Sequence, residues 1–268
     1  MNFSDRFISF VRKNALVSVN DKQLPKDKLL YPGDILSVLL PDEHDGNEAQ
    51  DYPLNILYED IDLIIAEKPP FTAIHPTKSH QDGTFLNYMA AEFKKRNLKS
   101  KVRIITRLDY NTSGIVLVAK NAFAQNMLQP DSHKISVLKR YTALLIGDAP
   151  DEKVIDVSLG REENELRRKP LPNGKKAVTR LKKLKSFGRY SLVELTLETG
   201  RTHQIRAHMA YIGFPVAGDH LYGGDVEGLA RQALHCSYAE LLSPRTMEKI
   251  SVQSQLPEDI SAFIKTLY

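Results

Sequence analysis

Apolar positions along this chain come in short runs broken by turn residues, and only a few stretches show helical spacing. Near the start, Phe3, Phe7, Phe10 and Val11 recur at helical spacing, and residues 16–20 and 35–39 read as short strands. Asn20-Asp21 and Pro32-Gly33-Asp34 supply the turns between them. Residues 41–51 are polar, acidic and nearly free of core-forming side chains, so they read as a solvated linker. Beyond Pro53, strands are predicted over 54–58, 63–66, 102–106, 115–119, 141–146 and 191–197. In the last of these, Val193, Leu195 and Leu197 face one way while Glu194, Thr196 and Glu198 face the other. Helices are fewer. Thr84 is placed to cap one that runs to Arg96 with Phe85, Met89 and Phe93 on one side; Phe123 and Met127 mark a second. Ile260, Phe263, Ile264 and Leu267 mark a third near the carboxy terminus. Strands that follow one another without regular helical crossovers predict an α+β fold around a central mixed, largely antiparallel sheet. The expected division is a small unit at 1–41, an acidic linker at 42–53 and a main domain at 54–268.

Composition narrows the setting. The 268 residues, 42% hydrophobic and 26% charged, form an ordinary globular composition able to bury a large core. The single cysteine, Cys236, allows no internal disulfide and no multi-cysteine zinc site, which suits a reducing cytoplasm. No leader pattern opens the chain, and no apolar run approaches the roughly 18 residues of a membrane span, so secretion and membrane insertion are disfavoured. The net charge of +4 is concentrated: from Glu165 to Arg206 there are 12 Lys or Arg against 3 Glu. A solvated, lysine-rich hairpin accounts for such a stretch, and so does a surface that tracks phosphates.

Candidate chemistry lies in two segments and one tyrosine. Residues 102–106 lead to Arg107-Leu108-Asp109, then the turn Tyr110-Asn111-Thr112-Ser113-Gly114, then a second apolar run. This places Asp109 at a sheet edge, where it serves either as a mounted reactive carboxylate or as an acceptor for turn amides. The second segment runs from Thr199-Gly200 through Arg201, Thr202, His203, Gln204, Ile205, Arg206 and His208. Read as a helix, it carries a dense set of donors able to grip phosphate or neutralise a carboxylate. A zinc site from His203 and His208 is disfavoured by their spacing of five and by the absence of a thiolate or HExxH partner. Tyr141 opens a strand flanked by Lys139 and Arg140, as a stacking surface for a base or as a core residue. Phosphate-loop, dinucleotide-binding and nucleophile-elbow motifs are missing, which favours a reaction without cofactor or metal.

Four ordered stretches together resemble the RluA-type pseudouridine synthases. They are Leu57-Tyr58-Glu59-Asp60 with Lys68-Pro69 and His75-Pro76; Arg107-Leu108-Asp109 with Thr112-Ser113-Gly114; Lys139-Arg140-Tyr141; and Thr199–Arg206 with Gly218-Asp219 and Tyr222-Gly223. Leu234-His235-Cys236 looks like a later family segment, and two departures are Glu67 and Thr106, where the family usually carries Asn and His. The resemblance implies an enzyme that isomerises uridine within RNA, with Asp109 as essential carboxylate, Arg206 as its opposing charge and Tyr141 stacked on the uracil. It implies further that Arg107 fills the gap left by a flipped nucleotide, Leu234 packs on the base, and Arg201, His203, Lys175 and Lys176 hold RNA. Residues 3–40 look like the S-four-type RNA-binding appendage, short and lacking its usual first helix. Such an appendage implies a large-subunit ribosomal RNA target, with transfer RNA as the enzymatic alternative and a noncatalytic RNA-binding or ribosome-assembly factor as the other. A cytoplasmic monomer without cofactor is expected.

Overall fold

A computed structural model describes residues 5–25, 28–43, 45–129, 134–163 and 165–268; Phe3 and the side chain of Phe7 lie outside what it describes. The amino-terminal unit is a helix, α1 (Asp5–Lys13), followed by a small antiparallel sheet in the order β2-β1-β3, from β1 (Val17–Val19), β2 (Lys22–Gln23) and β3 (Leu36–Val38). Val11, Val17 and Val19 are buried, whereas Phe10, on the same periodic stripe as Val11, stays half exposed.

The acidic segment is docked rather than merely solvated. Glu43 clamps Arg103 Nη2 with both carboxylate oxygens at 2.6 Å, Asp45 Oδ1 accepts the Val102 amide at 3.0 Å, and Gln50 Oε1 accepts the Gly83 amide at 2.6 Å. Composition alone missed this because the carboxylates find partners more than thirty residues downstream.

The main domain is built on a 10-stranded sheet. Its path is β4 (Ile56–Glu59), β5 (Leu63–Lys68), β7 (Ser113–Ala119), β14 (Leu234–Leu242), β8 (Leu138–Ile146), β13 (Tyr190–Leu197), β12 (Val178–Ser186) and β9 (Glu152–Asp156), in that spatial order. β6 (Arg103–Ile104) pairs with the end of β7, and β15 (Lys249–Gln253) pairs with the second half of β14. Every pairing is antiparallel except β7 with β14, so the sheet is mixed and largely antiparallel as expected. A separate antiparallel pair joins β10 (Leu159–Gly160) and β11 (Lys169–Pro170).

Five residues of β5 and all of β7 are buried, matching their unbroken apolar runs at the centre of the sheet. Against them packs α2 (Phe85–Lys95), whose Phe85, Met89 and Phe93 are buried. Thr84 caps α2 as predicted: the Asn87 amide donates to its hydroxyl, and the Thr84 amide donates to Asn87 Oδ1. The remaining helices are α3 (Ala122–Leu128), α4 (Gln204–Tyr211) and α5 (Glu258–Lys265). The lysine-rich β12 lies between β13 and β9, burying Val178, Thr179 and Leu181 while Arg180 and Lys182 face solvent. No described helix is long and apolar enough to cross a membrane.

Candidate active site

The turn that carries Asp109 is held at every step. Of the strand expected over 102–106, only Arg103–Ile104 pairs as strand; at Thr106 the side-chain hydroxyl replaces the ladder by accepting the Leu117 amide at 3.0 Å. The chain thus leaves the sheet edge and turns, with the Thr112 amide donating to the Asp109 carbonyl at 3.1 Å. Buried Lys68 donates to the carbonyls of Pro69, Thr72 and Tyr110 at 2.7, 2.9 and 3.1 Å. Arg231, also buried, donates to the Asn111 carbonyl at 3.0 Å and is itself gripped by Asp259 at 2.6 and 2.9 Å. Gln232 reaches the Thr112 hydroxyl at 3.2 Å. Burial pushes Lys68 down to about 7, with Arg231 adding to the effect and the Asp109 charge opposing it.

Gly114 lets β7 start directly against β14. Its φ of +113° suits glycine, and a Cβ there would stand 2.3 Å from the Cys236 carbonyl oxygen. The same junction holds a buried polar chain, in which His235 lies between Ser113 Oγ at 3.0 Å and Ser254 Oγ at 2.8 Å. Ser254 in turn donates to Glu67 at 2.5 Å. Both departures noted in the sequence, Thr106 and Glu67, therefore have hydrogen-bonding work within the fold.

Arg206, on the first turn of α4, meets Asp109 Oδ2 through Nη1 at 3.0 Å. Its Nε and Nη2 are taken by Asp219, at 2.6 and 2.9 Å, and its guanidinium lies 5.0 Å from the centre of the Tyr222 ring. Burial works against this charge, but the bonds and charge of Asp219, joined by Asp109, outweigh it and hold the guanidinium above its usual range. Arg201 and His203 do not lie on the helix as the sequence suggested. His203 adopts a left-handed conformation, φ 55°, just before α4, and Arg201 lies in the preceding loop. Gln204 shapes that loop: its Oε1 accepts from Thr199 and from the Arg201 amide, and its Nε2 donates to Val178 and Thr179. His203 Nε2 stands 3.9 Å from Asp109, and its Nδ1 is 3.2 Å from the Tyr222 hydroxyl. Burial lowers the His203 pKa despite Asp109, which favours the neutral ring. His208 is committed elsewhere, its two ring nitrogens meeting Thr179 Oγ1 and the Val157 carbonyl. Among the described residues no cluster of three or more His, Cys, Asp or Glu could hold a metal ion.

These parts enclose a cavity of about 640 Å³. Asp109, Tyr141, Arg206, Arg107, Arg201, His203 and Leu234 all line it. A smaller neighbouring recess of about 320 Å³ shares Arg107, Asp109, His203 and Arg206 and adds His75, Tyr110 and Gln232. Lys175 and Lys176 are not in the wall; they are exposed, and the Lys176 carbonyl accepts Arg201 Nε at 3.0 Å, which sets their loop beside the rim. Tyr141 is 4% exposed and meets the Cys236 thiol; burial, then Cys236 and Asp109, raise its pKa well above the usual value, so it stays a neutral phenol. Asp219, Gln204, Lys68 and Arg231 were given no role from the sequence, although Asp219, Gln204 and Lys68 fall within the motif stretches.

The model of the RNA pseudouridylate synthase family matches residues 62–211 of this chain, a span that includes Asp109, Tyr141 and Arg206. The chain belongs to that family. This pseudouridine synthase is 36% identical to the uncharacterized RNA pseudouridine synthase YjbO of Bacillus subtilis, over 93% of its own length and 89% of the relative's. It is 33% identical to ribosomal large subunit pseudouridine synthase D of Haemophilus influenzae, over 94% of its own length and 83% of the relative's. A solved structure of human RNA pseudouridylate synthase domain containing 1 superposes with a TM-score of 0.62 at 26% identity, covering 80% of this chain and 94% of the human one.

Proposed function

We propose that this pseudouridine synthase converts specific uridines of large-subunit ribosomal RNA, with Asp109 as the reacting carboxylate. The observation that carries the reading is the shared cavity in which Asp109, Arg206 and Tyr141 meet, with Asp109 on a turn fixed by buried donors. A carboxylate held 3.0 Å from a doubly anchored guanidinium is oriented and charged before substrate arrives.

In the reaction the bond between ribose C1′ and uracil N1 breaks, the ring turns, and C5 joins C1′. The C5 proton departs and N1 gains one, so atoms and charge balance without a cofactor. Asp109 acts at the sugar, as nucleophile or as base. Tyr141, buried and neutral, offers its ring for stacking rather than a ready base. Leu234 packs on the uracil, while Arg107, exposed at the junction of the two recesses, occupies the place of the extruded base. Arg201, His203, Lys175 and Lys176 hold the backbone. The small unit at 1–41 acts as an RNA-binding appendage, the acidic segment at 42–53 joins it to the catalytic domain at 54–268, and the protein works as a cytoplasmic monomer. A ribosomal target is supported by relatives named ribosomal large subunit pseudouridine synthase D in several bacteria, at 33–35% identity.

Release of tritium from RNA labelled at uracil C5 tests the chemistry: the wild type releases it, and Asp109→Asn releases essentially none while still binding RNA. Equal release by both removes Asp109 from the reaction. Pseudouridine mapping in ribosomal and transfer RNA, with and without the protein, tests the target, and a loss confined to transfer RNA refutes the ribosomal assignment.

A further inference from the structure

Lys139 lies two positions before Tyr141 on β8, so both side chains project from the same face of the strand, and both line the large cavity. Among the described residues its ammonium has neither a hydrogen bond nor an ion pair. Arg107 of the same wall is exposed to solvent, and the remaining charges are occupied: Arg206 by Asp219 and Asp109, Arg201 by the Lys176 carbonyl, and Glu198 by Arg180 at 2.5 Å. Beside Lys139 stand the Tyr141 phenol and the Cys236 thiol, which burial pushes up to about 11 and thereby keeps neutral. Burial lowers the pKa of Lys139 itself. Half-buried in the cavity wall with no protein acceptor, this ammonium carries a partial desolvation cost that a bound ligand with a lone pair relieves.

The reaction supplies such a ligand. When the bond from C1′ to N1 breaks, its electron pair stays with the uracil and spreads to the two carbonyl oxygens. We propose, on the footing of the uridine-isomerising reading above, that Lys139 is a further catalytic residue whose ammonium donates to a carbonyl oxygen of the flipped uracil and stabilises the detached, anionic ring. When C5 then attacks C1′ the pair returns to the new bond, the C5 proton leaves and N1 is protonated. Lys139 begins and ends the cycle as an ammonium. The division of labour is spatial: Asp109 and Arg206 serve the sugar end of the breaking bond, and Lys139 serves the base end.

The test compares wild type, Lys139→Met and Lys139→Arg in single-turnover tritium release, using a ribosomal RNA transcript labelled at uracil C5 that the wild type modifies. Loss of one such donor is expected to slow the Met variant by about 10²–10³-fold, with transcript affinity nearly unchanged. Arg restores most of the rate, and it also removes the alkaline fall in rate that the wild type shows as its ammonium deprotonates, since a guanidinium stays charged. A purely structural lysine would leave that alkaline limb in place in the Arg variant. A Met variant as fast as wild type overturns the proposal, and so does an Arg variant that retains the wild-type alkaline limb. If the Met variant does not fold, the Arg profile alone decides. A wild type that releases no tritium from any RNA overturns the functional reading itself, an outcome distinct from an active wild type indifferent to position 139.

Discussion

Asp219 holds Arg206 by two of its nitrogens, at 2.6 and 2.9 Å, and thereby aims the third at Asp109. The acid is 1% exposed, so the orientation of the Asp109 carboxylate is set by a second carboxylate that a molecule in the cavity has little room to touch. Asp219→Asn keeps the shape and one acceptor but loses the charge that fixes the guanidinium. Single-turnover rates are expected to fall by about 10²-fold while RNA affinity holds, since misplacement costs rate more than binding. An unchanged rate would show that Asp109 orients Arg206 without help.

Lys175 and Lys176 are exposed beside the cavity rim, whereas Lys183 is already paired with Asp148 and Asp151 at 3.1 and 2.9 Å. Changing Lys175 and Lys176 to Glu should therefore weaken RNA binding and reduce the slope of log affinity against log salt by about 2. Lys183→Glu should leave the slope nearly as it was. Equal effects from both changes would assign the charge to a diffuse field rather than to that loop.

Burial takes His235 down from 6.5 to about 4. Between those values the unfolded chain binds a proton that the folded chain refuses, so this ring's contribution to stability is complete above pH 6.5 and is lost as pH falls toward 4. The loss amounts to about 3 kcal/mol. In urea titrations from pH 7 to pH 4.5, His235→Gln should show a shallower decline than wild type. Parallel curves would mean that the ring finds a protonated form the fold tolerates.

Lys68→Met removes the donor shared by the Pro69, Thr72 and Tyr110 carbonyls. Each carbonyl left dry and unpaired costs about 1–3 kcal/mol, so the variant should be destabilised by at least that much and should lose rate through a slackened Asp109 turn. Denaturant melting together with tritium release checks both effects. Wild-type stability would mean that water replaces the ammonium.

Local signals were legible and distant ones were not. Thr84 announced its helix because a cap and its partner lie three residues apart, and β5 and β7 announced themselves by unbroken apolar runs. β14 was missed because its first three residues are buried in succession and the rest do not alternate cleanly. Asp109, Tyr141 and Arg206 were legible through ordered motifs, although Asp109 and Arg206 are 97 residues apart. The bracing by Lys68 and Arg231 was not legible. A lysine and an arginine inside apolar stretches signal burial only once their carbonyl acceptors, 42 and 120 residues away, are known.

That last brace bears on how the protein comes into being. The turn with Asp109 is synthesised some 120 residues ahead of Arg231, and Arg231 in turn waits for Asp259, another 28 residues on. A growing chain on its ribosome thus carries Asp109 long before the clamp that fixes its turn exists, so the cavity takes its finished shape late, with α5.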